Sequence, residues 1–193
     1  MKRIVLTGGP GAGKTTVAAA LARAEPGRFV IVPEAATQVY GRLRTRWDRL
    51  DATGRREVQR QIYALQIEQE HRLRRDHPDR VLLLDRGTVD GAAYWPGGAE
   101  DYWRALGTTA AAELARYDAV VWLQTCAAVD AYDGETSNAC RHEDRALAVR
   151  RCDSVLHLWR SHPRLLRVEA FPRFEDKLAA ATDAVLRLMT ADA

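Results

Sequence analysis

Gly8-Gly9-Pro10-Gly11-Ala12-Gly13-Lys14-Thr15 is the stretch that decides the fold, because it fits the phosphate-binding pattern GxxxxGK[ST]. It follows the apolar run Lys2–Leu6 and opens the alanine-rich stretch Lys14–Arg23. This strand, loop and helix order is the context that the motif requires, and the spacing does not fit the dinucleotide motif GxGxxG. The sequence therefore predicts a loop that holds a nucleoside triphosphate at a helix N-terminus.

The side chains and amides of this loop have separate predicted roles. Glycines let the main chain approach a phosphate, and the following N–H groups form an anion nest. Lys14 is expected to neutralise the β- and γ-phosphates, and the Thr15 hydroxyl to ligate Mg²⁺. We expect ATP or GTP with Mg²⁺ here, and the predicted nucleotide-binding residues are Gly9, Gly11, Ala12, Gly13, Lys14, Thr15 and Thr16.

Length and composition favour a single P-loop kinase-like domain over residues 1–193. No apolar run approaches the roughly 20 residues that cross a bilayer, so no membrane partner is expected. The short apolar start before the glycines does not fit a signal peptide, which favours a cytoplasmic protein. Arginine supplies all but three of the 29 basic residues, so the lysine at position 14 stands out. The sequence predicts no oligomeric state.

Apolar runs of four to six residues alternate with helical stretches along the chain. The further predicted strands are Phe29–Val32, Val81–Leu84, Ala119–Gln124 and Leu165–Glu169. The further predicted helices are Ala35–Arg44, Arg55–Arg75, one or two within Ala99–Arg116, Glu143–Arg160 and Phe174–Met189. This order predicts an α/β fold with a parallel sheet covered on both faces. The irregular stretch Thr125–His142 predicts a lid region at about 125–150.

Acidic residues follow two of the predicted strands. Asp85 ends the run Val81–Leu84 and is expected to hold the metal through water, although such an acid also caps helices. Glu34 follows Phe29–Val32 and has three interpretations: a base for an acceptor hydroxyl, a group that orients Mg²⁺, or a helix cap. Either Glu34 or Asp85 is therefore a candidate for the catalytic base.

A predicted acceptor site lies just after Asp85, because ligands of open α/β sheets bind beyond the carboxyl ends of the strands. Its candidate residues are Glu34, Arg86, Asp90, Tyr94 and Trp95. In the lid region, Arg141 and Arg145 are candidates for closing over the transferred phosphoryl group, or they belong to a solvated helix face. Phe171 follows the last strand; in similar kinases the loop at this place contacts the nucleotide base, and a position in the core is the alternative.

A second concentration of arginines surrounds Tyr40 and Trp47. Its members are Arg42, Arg44, Arg46, Arg49, Arg55, Arg56 and Arg60. Arginine interleaved with aromatic side chains suits an anionic acceptor or a nucleic-acid end. Asp48 and Asp51 partly offset this charge.

These motifs together resemble the small AAA-type ATPase family that includes the ribosylnicotinamide kinase domain of the bacterial NAD-biosynthesis regulator. The resemblance rests on the phosphate loop, Val32-Pro33-Glu34-Ala35-Ala36, Asp85-Arg86-Gly87-x-x-Asp90-x-x-x-Tyr94 and Arg141-x-Glu143. The chain is also similar to deoxyribonucleoside kinases, where a glutamate after the second strand is the base and an acid–Arg pair after the third strand serves the acceptor. The resemblance implies a three-layer P-loop NTPase fold with strand order 2-3-1-4-5, catalytic Glu34 and the pair Asp85-Arg86.

Three functional hypotheses follow from these residues. The first is an ATP- or GTP-dependent phosphotransferase acting on a nucleoside or another small hydroxyl acceptor. The second is a 5′-hydroxyl polynucleotide kinase, which the arginine concentration motivates. The third is a nucleotide-dependent switch or binding protein, although the chain lacks an evident Asn-Lys-x-Asp guanine-recognition motif. The family is functionally mixed, so the resemblance does not transfer a substrate.

Overall fold

The computed structural model describes residues 2–129 and 145–190, and at its centre is a five-stranded parallel sheet. The strands are β1 (Arg3–Gly8), β2 (Phe29–Val32), β3 (Val81–Asp85), β4 (Ala119–Leu123) and β5 (Leu165–Val168). Their spatial order is β2-β3-β1-β4-β5, and every neighbouring pair is parallel. The predicted strand order and the P-loop NTPase fold are thereby confirmed.

Helices connect the strands. They are α1 (Lys14–Ala24), α2 (Ala35–Leu43), α3 (Ala52–Asp76), α4 (Gly98–Leu106), α5 (Ala110–Leu114), α6 (Arg145–Trp159) and α7 (Phe174–Thr190). Short 3-10 helices cover Trp47–Arg49, Thr88–Tyr94 and Cys126–Val129. Helix α3 begins three residues before the predicted start because Asp51 is its N-cap, with its side chain accepting a hydrogen bond from the Gly54 amide at 2.7 Å.

The sheet is buried on both faces, which explains why its strands are continuously apolar rather than alternating. Along β1, Ile4 and Leu6 pack into one core with Leu21 of α1, while Val5 packs into the other core with Trp159 of α6. Strand β1 lies at the centre of the sheet, so the phosphate loop that follows it emerges between the ends of β3 and β4.

The predicted lid region is only partly described. Its first residues form the 3-10 helix Cys126–Val129, and its last residues begin α6 at Arg145. Arg141 lies outside the described residues. Among the helices of residues 2–129 and 145–190, none combines the length and the apolar character needed to span a membrane.

Candidate functional site

The phosphate loop runs from the end of β1 to the first residue of α1. Gly11 and Gly13 have φ angles of 65° and 87°, which L-amino acids with a side chain rarely adopt. The Thr125 hydroxyl at the end of β4 donates to the Pro10 carbonyl at 2.6 Å and fixes the loop from the side. This backbone leads directly into the α1 N-terminus, which is a favourable place for an anion.

Lys14 lies beneath this loop and is only 5% exposed. Its ammonium donates to the Gly9 carbonyl at 2.9 Å and lies 3.4 Å from the Gly8 carbonyl oxygen. These two contacts hold the ammonium beside the backbone of the loop. Its neutralisation of phosphate oxygens stays a prediction from the motif.

Two oxygen-bearing side chains meet where the loop joins α1. The Thr15 hydroxyl donates to Asp85 Oδ2 at 2.5 Å. Asp85 is 3% exposed, and its Oδ1 has no hydrogen-bond partner among the described residues. A hydroxyl beside a carboxylate with an unpaired oxygen is a donor set that suits a hard cation such as Mg²⁺.

Arg86 and Glu34 form a buried ion pair at the ends of β3 and β2. The Arg86 Nε donates to Glu34 Oε1 at 2.6 Å, and each side chain is 9% exposed. The Thr37 hydroxyl of α2 donates to Glu34 Oε2 at 2.6 Å. Arg86 holds a φ of 77°, which is uncommon for a residue with a side chain and is typical of functional sites.

The guanidinium of Arg86 links the loop to Asp90. Its Nη1 lies 3.2 Å from both the Gly8 carbonyl and Asp90 Oδ1. Burial acts to lower the pKa of Arg86, but the neighbouring Tyr94, Asp90 and Asp85 outweigh it and raise the pKa overall. Arg86 therefore carries its charge at every pH at which the protein is folded.

Asp90 is buried, and both of its carboxylate oxygens accept hydrogen bonds. Oδ1 accepts from the Thr7 hydroxyl at 2.6 Å as well as from Arg86. Oδ2 accepts from the Gly87 amide at 3.1 Å and from Trp159 Nε1 at 3.2 Å. These bonds favour a role for Asp90 in orienting Arg86, in addition to its predicted place beside the acceptor.

A cavity opens beside this ion pair, with about 120 Å³ available to the centres of water-sized molecules. This is room for several waters. Four of the five predicted acceptor-site residues line it, namely Glu34, Arg86, Asp90 and Tyr94. Trp95 lies outside the cavity: it is 5% exposed, packs edge-on against Tyr102, and donates from Nε1 to Asp101 at 2.7 Å.

Sequence interpretation missed most of the cavity wall. The missed lining residues include Tyr40, Trp47, Gln59, Tyr63, Gln66 and Tyr102. A signal was present in α3. The buried residues of that helix are Val58, Gln59, Gln66, Gln69 and Glu70. Glutamines at the spacing of one helix face are atypical of a core helix and indicate a polar wall.

A buried network of hydrogen bonds stabilises this wall. Glu113 of α5 accepts hydrogen bonds from the hydroxyls of Tyr63 at 2.8 Å, Thr88 at 2.6 Å and Thr108 at 2.7 Å. Burial, followed by the hydrogen bond and charge of Glu113, raises the pKa of Tyr63 to about 12. Tyr63 thus contributes to stability as a neutral phenol.

This shift predicts an alkaline loss of stability. Because folding raises the pKa of Tyr63 above its ordinary value near 10, its contribution is complete below about pH 10 and is lost as the pH rises towards 12. We expect the stability advantage of the wild type over Tyr63→Phe to shrink across that range. Urea unfolding of both proteins between pH 8 and 11.5 measures it, and a constant difference would contradict the described contact.

Helix α6 brings side chains over the same cavity. Leu147 lines it, and the Arg151 guanidinium lies 4.9 Å from the ring centroid of Tyr94 and 5.0 Å from that of Trp47. The predicted Arg145 is exposed, and its Nε donates to the Ala127 carbonyl at 2.7 Å. Arg145 does not line the cavity, and its contact with a transferred phosphoryl group stays a prediction.

The aromatic side chain beside the phosphate loop is Phe174 rather than Phe171. A β-carbon at Gly13 would lie 2.8 Å from the Phe174 ring, and Phe174 is 37% exposed. Phe171 is partly buried and packs against the core that contains α1 and α7. The contact of Phe171 with a nucleotide base stays a prediction.

The members of the arginine concentration differ in their exposure. Arg46 pairs with Asp48 at 3.2 Å, Arg56 pairs with Asp101 at 3.1 Å, and Arg55 lies 3.7 Å over the Trp47 ring. The exposed members are Arg42, Arg44, Arg49 and Arg60. Two of these also have protein partners, since Arg42 donates to Gln61 at 3.0 Å and Arg60 lies 4.0 Å from Glu57.

Comparison of the sequence with models of known protein families gives a match. The model of a family described as AAA domain matches residues 3–177, which is most of the chain and includes the phosphate loop, Asp85 and the cavity. Comparison with curated proteins finds no match.

Proposed function

Because this chain belongs to the AAA domain family of P-loop nucleotide-binding proteins, we propose that it is a Mg²⁺-dependent phosphotransferase. The donor is ATP or GTP on the phosphate loop. The acceptor is a nucleoside or another small hydroxyl compound in the adjoining cavity. A cytoplasmic location fits this substrate class.

One observation carries the proposal: a single buried side chain joins the donor loop to the cavity. Arg86 hydrogen-bonds the Gly8 carbonyl of the loop and also Glu34 in the cavity wall. Phosphoryl transfer needs donor and acceptor fixed in line, with positive charge where the transferred group passes. A buried guanidinium at the junction supports both requirements.

Each residue then has a proposed role. Lys14 and Arg86 stabilise the charge that develops on the transferred phosphoryl group. Mg²⁺ held by Thr15 and Asp85 would neutralise the phosphate charge when it is bound. Between the two candidate bases we propose Glu34, because it lines the cavity, whereas Asp85 lies against Thr15. Glu34 accepts the proton of the acceptor hydroxyl, while Thr37 and Arg86 orient its carboxylate.

A panel of acceptors tests the proposal. ATP and GTP are each supplied with ribonucleosides, deoxyribonucleosides, nicotinamide riboside and a 5′-hydroxyl oligonucleotide, and nucleoside diphosphate release is measured. We expect at least one small acceptor to raise turnover well above the acceptor-free rate, and Glu34→Gln to remove that increase. If no acceptor raises turnover, the protein is better described as a nucleotide-dependent switch.

The metal assignment gives a separate prediction. Asp85→Asn keeps the shape of the side chain but removes its negative charge, so we expect the Mg²⁺ concentration for half-maximal turnover to rise about 10- to 100-fold. The melting temperature should change little, because the amide oxygen of asparagine can still accept the hydrogen bond from the Thr15 hydroxyl. A magnesium titration checks this, with Asp79→Asn as an exposed control. An unchanged magnesium requirement would contradict the assignment.

The exposed arginines favour one alternative acceptor, the 5′-hydroxyl end of a polynucleotide. Arg42, Arg44, Arg49 and Arg60 are exposed. Such a substrate would make the Michaelis constant rise steeply with salt, because phosphate contacts release counterions. A nucleoside kinase would show weak salt dependence. The oligonucleotide in the panel, assayed at two salt concentrations, separates the two substrates.

A further inference from the structure

Two arginines lie over the indole ring of Trp47, which lines the cavity. The guanidinium carbon of Arg55 is 3.7 Å from the ring centroid, and that of Arg151 is 5.0 Å from it. Each guanidinium is attracted to the ring, but two positive charges this close to one ring repel each other. An anion bound beside the ring compensates for this repulsion.

The two guanidiniums have no carboxylate partner among the described residues. Arg55 donates from Nε to the Trp47 carbonyl at 3.2 Å, and Arg151 donates from Nη1 to a main-chain carbonyl. Neither side chain makes a further hydrogen bond or ion pair within residues 2–129 and 145–190. The acid next to Trp47 in the sequence, Asp48, pairs instead with Arg46. Both guanidiniums thus keep N–H groups for an acceptor from outside the described residues.

Three buried N–H groups at this place also lack a partner. They are Nε1 of Trp47 itself, Nε of the preceding Arg46 and Nε of Arg151, none of which is hydrogen-bonded within the part of the chain that the structure describes. Buried N–H groups are almost always paired, because leaving one unpaired is unfavourable. Since all three are donors, the missing ligand is one that accepts hydrogen bonds, as an oxyanion does.

The packing at Trp47 suits a compact anion better than a nucleic-acid strand. Single-stranded nucleic acids bind through bases that stack on aromatic faces. The Arg55 guanidinium already covers one face of Trp47, and Arg151 lies over the ring as well. A phosphate group needs no ring face, and its oxygens accept paired N–H groups from a guanidinium.

Tyr94 connects this place to the proposed reaction centre. It lines the cavity, and its ring centroid is 4.9 Å from the guanidinium carbon of Arg151 and 5.7 Å from that of Arg86. Arg86 in turn donates to Glu34, the proposed base, at 2.6 Å. One aromatic ring is therefore in contact with both guanidiniums, so a compact molecule can reach Trp47 with one end and Glu34 with the other.

We propose that Arg55, Arg151 and the Trp47 indole N–H form a binding site for a phosphate group carried by the acceptor. The substrate class is then a small phosphate monoester with a free hydroxyl, such as a nucleoside monophosphate or a sugar phosphate. Its phosphate is bound at Trp47, and its hydroxyl lies at Glu34. The inference rests on the proposed function in taking this cavity as the acceptor site.

Calorimetry tests the site without phosphate transfer. The phosphate loop is first filled with Mg²⁺ and a non-hydrolysable ATP analogue, so that it does not bind the added phosphate compounds. The 3′- and 5′-monophosphates of adenosine and cytidine are compared with the parent nucleosides, and ribose 5-phosphate is compared with ribose. We expect the wild type to bind at least one phosphorylated compound about 10- to 100-fold more tightly than its parent, as hydrogen bonds to a charged group allow.

Replacing one arginine at a time locates the phosphate. Arg151→Met and Arg55→Met should each reduce the preference to about 3-fold or less, while the parent compound binds as to the wild type. A purely structural role would weaken both members of a pair alike. Arg150→Met is the matched control: Arg150 is exposed on the same helix as Arg151, and its replacement removes the same charge. It should keep the preference of the wild type.

The outcomes separate this inference from the proposed function. A wild type that binds both members of every pair equally overturns the phosphate site, and so does an Arg151→Met protein that keeps the preference or binds both members more weakly. Inorganic phosphate or a 5′-hydroxyl oligonucleotide that binds more tightly than every small phosphate monoester overturns the substrate class. If the preference exists and Arg151→Met removes it, but the wild type transfers no phosphate, the inference stands and the kinase proposal fails.

Discussion

Lys14→Ala is expected to lower nucleotide-dependent turnover by roughly 10³-fold, the magnitude typical of a cation that stabilises transferring phosphate charge. Lys14 is buried beneath the loop, where its ammonium meets the carbonyls of Gly8 and Gly9. Alanine supplies no charge at this position. Steady-state turnover and calorimetric titration with ATP and GTP measure the loss.

Lys2→Ala is the matched control for this variant. Lys2 donates to the Met189 carbonyl at 2.8 Å, away from the loop, so its replacement should leave turnover within a few-fold of the wild type. Thermal unfolding of both variants shows whether they are folded. A folded Lys14→Ala protein that binds and turns over nucleotide like the wild type would refute the role of the loop.

Arg86→Met is expected to lower both stability and activity. Its removal leaves the buried carboxylates of Glu34 and Asp90 without their shared guanidinium, and breaking one side of a buried ion pair costs about 3–5 kcal/mol. For a chain of this length each kcal/mol shifts the melting temperature by roughly 2–4 °C, so we expect a decrease of about 10 °C. Acceptor-dependent turnover should fall with it.

Two companion proteins separate charge from packing. Arg104→Met removes an arginine whose side chain is 78% exposed, and surface changes of this kind alter stability by about 0.5 kcal/mol or less. In the double variant Arg86→Met/Glu34→Gln, one of the two buried carboxylates left without the guanidinium becomes a neutral amide. Its stability should therefore lie between those of Arg86→Met and the wild type, while its activity stays low. An Arg86→Met protein as stable as the wild type would show that the ion pair is not needed by the fold.

The sheet could be predicted from the sequence because each part of the prediction rests on local patterns. Strands buried on both faces are continuous apolar runs, and the glycine-rich loop marks which of them is β1. The strand order came from the resemblance, since spacing alone does not fix it. The start of α3 was misplaced because the Asp51 cap was not considered.

The site was predicted where side chains follow strand ends, and missed where helices supply the wall. Glu34, Asp85 and Arg86 lie at the carboxyl edge because parallel strands end there together. Trp95 follows the same strand, but its indole turns towards Asp101. Tyr40, Gln59 and Tyr63 reach the cavity only through the packing of α2 and α3 against the sheet, which residue spacing does not specify.

The most direct test of phosphoryl transfer follows the γ-phosphate itself. The wild type is incubated with γ-labelled ATP, Mg²⁺ and the tightest-binding nucleoside, and the label is separated into phosphorylated nucleoside and inorganic phosphate. We predict that most of the label appears on the nucleoside, and that Glu34→Gln slows its appearance strongly. Label found only in inorganic phosphate, at the same rate with and without nucleoside, would contradict the account.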